Sequence, residues 1–242
     1  MPVSLDVALS AQIALEKRMT SIAHNVANSS TPGFRSDAIS FEAMVSQNTM
    51  EPTTFTSAGD TYISRTSGGM VMTENPLDVA VRGEGWLAFQ GNGGETVYTR
   101  DGRMKMLATG ELTTLNGNPV LDAGGAPLVL NPNAAAPKIS HDGMISQDNQ
   151  PVGAIGLFLI PETANLTRVE GSGVISDRAA EPVIEFTTNG VAQGFIEQSN
   201  VNAVMEMSHL ITVSRAFESL AAAIENNEST LQSAIRTLGE TS

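Results

Sequence analysis

The three histidines, His24, His141 and His209, are the first residues to test for chemistry, and they lie far apart in the chain. A metal site needs imidazoles, thiolates or carboxylates at close, repeated spacing, as in H-E-x-x-H, and no such spacing occurs. Cysteine is absent altogether. That removes thiolate metal ligands, cysteine nucleophiles and disulfides together. With 26 acidic residues some carboxylates must be neighbours in space, but no spacing marks out a glycosidase-type pair. His141-Asp142 is explained by its turn. Gly83-Glu84-Gly85 lacks the third glycine and the following helix of a dinucleotide site, and neither G-x-S-x-G nor a phosphate loop is present. The sequons at Asn28, Asn165 and Asn227 are common by chance. The residues therefore nominate no catalytic group, no metal ligand and no cofactor. A hydrolase acting on the cell wall would rest on acidity alone, and we expect no enzyme.

The elements that would position such groups are more informative. Leu210, Phe217, Ile224, Leu231 and Leu238 recur every seven residues, with Val213, Leu220 and Ala234 between them. This 3.5-residue period is that of a helix with an apolar seam. No Gly or Pro interrupts Phe195 to Leu238. A helix of about 36 residues would be about 54 Å long, beyond the diameter of a small domain. Asn227 or Glu228 falls where the seam wants an apolar side chain, which either fixes register or marks the seam's end. Ala8, Leu15 and Ile22, with Gln12, Met19 and Val26, make a second seam. Ser4 and Asp6 suit a helix start, and the helix should run from about Leu5 to Ala27, ended by Asn28-Ser29-Ser30 and Pro32-Gly33. Asn28 can turn the chain there, Gly33 permits close approach or positive φ, and Phe34 can pin the exit into a notch. Heptads set no oligomeric state, so the seams could meet within one chain or between neighbours.

Between the seams the composition changes. Twenty of 22 Gly lie between Gly59 and Gly194, and nine of 11 Pro between Pro52 and Pro182. Short apolar runs (Leu77–Val81, Trp86–Phe89, Leu128–Leu130, Ile155–Ile160 and Val183–Phe186) alternate with turn signals such as Asp101-Gly102, Asn116-Gly117 and Asp142-Gly143. Residues 36–70 are rich in Ser, Thr and Gly and read as an extended linker. The expected fold is mixed α and β: long, coiled-coil-like N- and C-terminal helices flanking an inserted all-β domain, a sandwich or distorted barrel. The expected divisions are 1–35, 36–70, 71–195 and 196–242.

Charge narrows the partners. The formal net charge is −13. Residues 36–196 carry eight basic and eighteen acidic side chains, hence −10 of it. Without a basic cluster, nucleic acid and anionic membrane are poor partners. The longest apolar run, Val152–Ile160, is too short to span a bilayer. The first residues lack a basic n-region, so no cleaved secretory signal is expected.

Ser21-Ile22-Ala23-His24-Asn25-Val26-Ala27-Asn28-Ser29-Ser30-Thr31-Pro32-Gly33-Phe34-Arg35 resembles the N-terminal signature of bacterial flagellar rod and hook proteins. Three further stretches are similar to that family's motifs: Asn75–Trp86, Tyr98-Thr99-Arg100-Asp101-Gly102, and Gly194–Asn202 followed by Glu206. His24 stands where the family more often has a small or polar residue, and Trp86 replaces its usual Phe. The chain looks most like the proximal rod members, with the distal rod member the alternative. A soluble coiled-coil adaptor or export chaperone is the reading outside the family. The resemblance implies a structural subunit of the periplasm-spanning rod, exported through the flagellar apparatus without a cleaved signal, with outward-facing β domains. It implies as partners copies of itself, proximal and distal rod subunits, the export apparatus and basal-body ring proteins. The assembly interface would then comprise Leu15, Met19, Ile22, Asn25, Val26, Asn28, Gly33 and Phe34 at one end. At the other it would comprise Leu210, Val213, Phe217, Leu220, Ile224, Leu231 and Leu238.

Overall fold

The computed structural model describes residues 2–45 and 54–239. Helix α1 spans Pro2–Ala27 and helix α2 spans Ala203–Gly239. Between them lie β1 (Asp37–Val45), β2 (Thr54–Ile63), β3 (Met70–Met72), β4 (Val79–Arg82), β5 (Trp86–Gln90), β6 (Thr96–Thr99), β7 (Met104–Met106) and β8 (Leu112–Thr114). They are followed by β9 (Lys138–Ile139), β10 (Met144–Gln147), β11 (Gln150–Ala154), β12 (Leu157–Leu159), β13 (Leu166–Arg168), β14 (Val174–Ser176), β15 (Glu181–Pro182), β16 (Gly190–Gln193) and β17 (Phe195–Glu197).

The chain divides into two compact units. The first gathers Met1–Ala27, Asp37–Tyr62 and Asn202–Ser242; the second gathers Asn28–Ser36 and Ile63–Val201.

In the first unit α1 and α2 pack along each other, and α1 also packs on β1. β1 pairs with β2 inside the stretch read from sequence as an extended linker. Asn202 caps α2: its Oδ1 accepts from Met205 N–H at 3.1 Å, and its carbonyl accepts from Glu206 N–H at 3.0 Å. These are the orphan donors of a helix start.

The expectation of coiled-coil-like helices flanking the β domain is corrected here, although the mixed α and β class agrees. The described chain has one N-terminal and one C-terminal helix, which pack on each other, with the β-rich stretch between them in sequence, and the described buried face of α1 is not a leucine seam. It carries Ala14, Ser21, Ile22 and Asn25, and Ser21 and Asn25 hydrogen-bond to Asp37 at the start of β1. Heptad spacing records where apolar residues recur, not what covers them. A polar pair turned toward a strand breaks the pattern that knobs-into-holes packing requires.

The second unit is built from short antiparallel sheets. The largest has the order β13-β14-β6-β5-β12-β15. β9, β10 and β11 form a three-stranded sheet, and β4–β16, β3–β17 and β7–β8 are pairs. Asp148 and Asn149, with φ of 50° and 62°, make the two-residue turn between Gln147 and Gln150. Positive φ at both central residues is the hairpin turn whose twist matches its strands. Val79, Val81, Leu87, Leu112, Ile145, Leu157 and Val191 lie in one buried cluster, while Trp86 joins Ile63, Ile160 and Val174 in another. The expected strand at Val183–Phe186 is displaced to Glu181–Pro182, and Leu128–Leu130 makes bridging contacts only. Alternating burial alone does not guarantee a partner in register.

Candidate functional site

The segment after α1 turns sharply. Thr31 N–H donates to Asn28 O at 3.1 Å, and Phe34 N–H donates to Thr31 O at 3.2 Å. Gly33 follows with φ of 69°, and a Cβ there would sit 2.1 Å from the Asp101 nitrogen. Both its conformation and its close approach to backbone exclude a side chain. Its N–H donates to Glu197 O at 2.8 Å. The turn therefore delivers Phe34 and Arg35 inward, each 1% exposed.

Arg35 meets a carboxylate from the far end of the unit. Its Nη2 lies 2.8 Å from Glu197 Oε1, and Arg100 Nη1 lies 3.1 Å from Glu197 Oε2. Glu197 Oε1 also accepts from Gly68 N–H at 3.0 Å. Arg35 donates further to the carbonyls of Arg65 and Thr66, and Arg100 Nη2 donates to Gly83 O at 2.7 Å. Both guanidiniums lie over the ring of Trp86, their Cζ atoms 5.7 and 5.4 Å from its centroid. Two cations, one anion and an aromatic face thus share a water-excluded pocket, where charges are tolerated only when paired and hydrogen-bonded.

Burial, helped by the Arg100 charge and opposed by Glu197, draws the Arg35 guanidinium down to about 10. Burial likewise lowers Arg100, with Glu197 again opposing. Arg35 still carries its charge at neutral pH.

Flanking contacts fix this clasp. Arg168 sits 4.2 Å over the Phe34 ring, and its Nη2 donates to Arg35 O at 2.6 Å. Asn200 Oδ1 accepts from Ser36 N–H at 2.7 Å, while its Nδ2 donates to Thr66 O at 2.9 Å. Asp101 holds Arg103 in a bidentate pair at 2.9 and 2.7 Å, and Gly102 abuts Val79 O, where a Cβ would lie at 1.9 Å. The arrangement holds the distant segments around Arg35, Arg100 and Glu197 in register.

The first unit has a smaller counterpart. Asn25 Nδ2 donates to Asp37 O at 2.9 Å, and Asp37 N–H donates to Asn25 Oδ1 at 2.8 Å. The side-chain amide thereby imitates one rung of a β-ladder. His24 Nδ1 lies 2.5 Å from Asp37 Oδ2.

The stretches that carry Arg35, Arg100 and Glu197 each fall within a region matched by a family model. Residues 5–35 match a model described as flagella basal body rod protein. Residues 80–147 match the flagellar hook protein FlgE/F/G D1 domain, and 192–237 the flagellar basal body rod FlgEFG protein C-terminal. A Mesorhizobium japonicum protein named flagellar basal-body rod protein FlgF is 48% identical, with 99% of each chain covered. The chain belongs to the flagellar basal-body rod protein family. The FlgF of Rhizobium meliloti is 40% identical over 99% of both chains, and that of Escherichia coli 36% identical over 81% of this chain and 82% of that one. Within the family the chain is most like FlgF. It is a structural subunit of the flagellar basal-body rod, and its place is the basal body, among other rod proteins. No described helix is long and apolar enough to cross a membrane.

For this rod subunit, the residues nominated from sequence fall into separate places. Ile22, Asn25 and Val213 are buried in the first unit, and Leu15, Met19, Val26, Leu210, Phe217, Leu220 and Ile224 are half-buried there. Gly33 and Phe34 are buried in the second unit, and Asn28 is half-buried there. Leu231 and Leu238 lie outside the residues whose side chains are described. His141 Nε2 donates to Phe186 O at 3.0 Å, and His209 lies 4.0 Å from Glu206. Sequence reasoning missed Arg35, Trp86, Arg100, Arg168 and Glu197 as a set. The available signal was a charged residue inside each of three family motifs; Arg168 carried none.

Proposed function

We propose that this rod subunit polymerises through its terminal helices, packing against copies of itself and against proximal and distal rod neighbours. The observation that supports this is an apolar surface on the helices that their mutual packing leaves uncovered. Leu9 and Ile13, one turn apart on α1, are exposed, as are Val204, Met205, Met207 and Ile211 on α2. Val204 is 75% exposed and Ile211 56%. Side chains of this kind, clustered on helices whose other face is already engaged, mark a surface that a second protein covers. The half-buried residues from Leu15 to Val26 and from Leu210 to Ile224 then form the rim and floor of that interface, within an assembly core drawn from residues 1–35 and 196–242. Residues 71–195 belong to the separate β body, while β1 and β2, within residues 36–70, belong with the helices. The chain reaches its site unfolded through the flagellar export apparatus and meets the basal-body rings there; the lack of cysteine suits that route.

The test is Ile211→Asp and Leu9→Asp, alone and together, in a strain lacking the native copy. Purified variants should melt as the parent does, because both positions are exposed. Motility and recovery of the subunit in isolated basal bodies should be lost. Wild-type motility in the double variant would overturn the proposal.

A further inference from the structure

We propose that Glu197 and Asn200 form a completion lock: the β unit closes only after its last segment, residues 195–200, has docked. The reasoning rests on the clasp alone and does not depend on how the subunit assembles. Arg35 and Arg100 are 1% and 2% exposed, and Glu197 is the carboxylate paired with both. Before Glu197 arrives, closing the pocket would bury two guanidiniums within reach of the same Trp86 ring without the carboxylate that bonds both, leaving only the smaller influence of Glu84 on Arg100, which is strongly unfavourable.

The same segment supplies backbone partners that the early segments otherwise lack. Glu197 O accepts from Gly33 N–H, Glu197 Oε1 from Gly68 N–H, and Asn200 Oδ1 from Ser36 N–H. Gln198 N–H donates to Gly69 O. The contacts span 97 residues from Arg100 to Glu197 and 164 from Ser36 to Asn200. The anion comes from a segment 97 residues beyond Arg100, so a chain that lacks this segment, or has not yet docked it, carries the two cations without the carboxylate that bonds both. An incomplete chain is thus held open, and a complete one closes.

Trp86 is the sole tryptophan and has both guanidiniums over its ring, so its emission reports closure directly. The experiment is stopped-flow folding and unfolding of the full chain across denaturant, read by Trp86 fluorescence, for wild type, Glu197→Gln and Asn200→Ala. The lock predicts that its contacts are formed at the rate-limiting step. Glu197→Gln should shift the folding equilibrium about a hundredfold, nearly all of it as slower folding. Asn200→Ala, which removes hydrogen bonds but no charge, should slow folding about tenfold. If Glu197→Gln fails to fold, Asn200→Ala decides. Unchanged folding rates with faster unfolding would show that residues 195–200 dock onto an already closed unit, and would overturn the proposal.

Discussion

Gly33→Ala is the sharpest test of how the chain end is held in the clasp. The added methyl would lie 2.1 Å from the Asp101 nitrogen and 2.4 Å from the Arg100 carbonyl carbon, both backbone atoms that cannot swing aside. Ordinary contact begins near 3.4 Å, so one strand must retreat by about 1.3 Å. That retreat lengthens the Gly33 N–H bond to Glu197 O, worth about 1 kcal/mol. The left-handed conformation costs an L-residue a further 1–2 kcal/mol, roughly. The direct loss is therefore about 2–3 kcal/mol. It rises to about 5 kcal/mol or more if the movement separates Arg35 from Glu197 and leaves buried charge unpaired. Gly94→Ala is the matched control, because Gly94 has φ of 86° and open space where its Cβ would go. It should lose only the conformational part, about 1–2 kcal/mol. The assay is urea unfolding followed by Trp86 emission, which reads the β unit selectively. If Gly33→Ala and Gly94→Ala differ by less than about 1 kcal/mol, the close approach is not what makes glycine necessary, and the reasoning fails.

Arg168→Met should destabilise the β unit by about 2 kcal/mol, through loss of the contact over Phe34 and the bond to Arg35 O; Arg168→Lys should recover little, since an ammonium cannot lie flat on the ring while donating sideways. Urea midpoints for the two variants decide this. Asn25→Leu should cost about 2–3 kcal/mol by leaving the Asp37 N–H and C=O without their rung, read as loss of helical circular dichroism at lower temperature while Trp86 emission holds. Limited proteolysis followed by mass spectrometry should leave a β core whose C-terminal limit is at or beyond Asn200; a stable core ending near residue 195 would contradict the clasp.

Much of the secondary structure was legible in the residues themselves. Pro32-Gly33 and the Asn28-Ser29-Ser30 run stop α1 where the apolar period stops, and the absence of Gly and Pro lets α2 run to Gly239. Gly and Pro punctuation between short apolar runs placed β4, β5 and β12 close to where they lie. The Gly33 requirement was readable as well, because a glycine after a helix stop has few other uses. Two readings went astray for the same reason. The heptads promised a coiled-coil seam, and residues 36–70 promised a linker. Each judgement took a local pattern as though it named its partner, whereas α1 buries a partly polar face, and part of 36–70 pairs as β1 and β2.

By itself, then, the sequence determined what is encoded within a few turns of chain: where helices start and stop, which stretches extend, and the motifs that carry family membership. The tertiary structure decided which charges meet. Arg35, Arg100 and Glu197 share no periodicity, and although each lies inside a family motif nothing local pairs them; they come together because β17 pairs with β3, β6 with β5, and Gly33 turns the chain inward. Register between strands far apart in sequence is set by closure of the whole core. Periodicity cannot report it, because the energy that fixes it belongs to the pair and to neither segment alone.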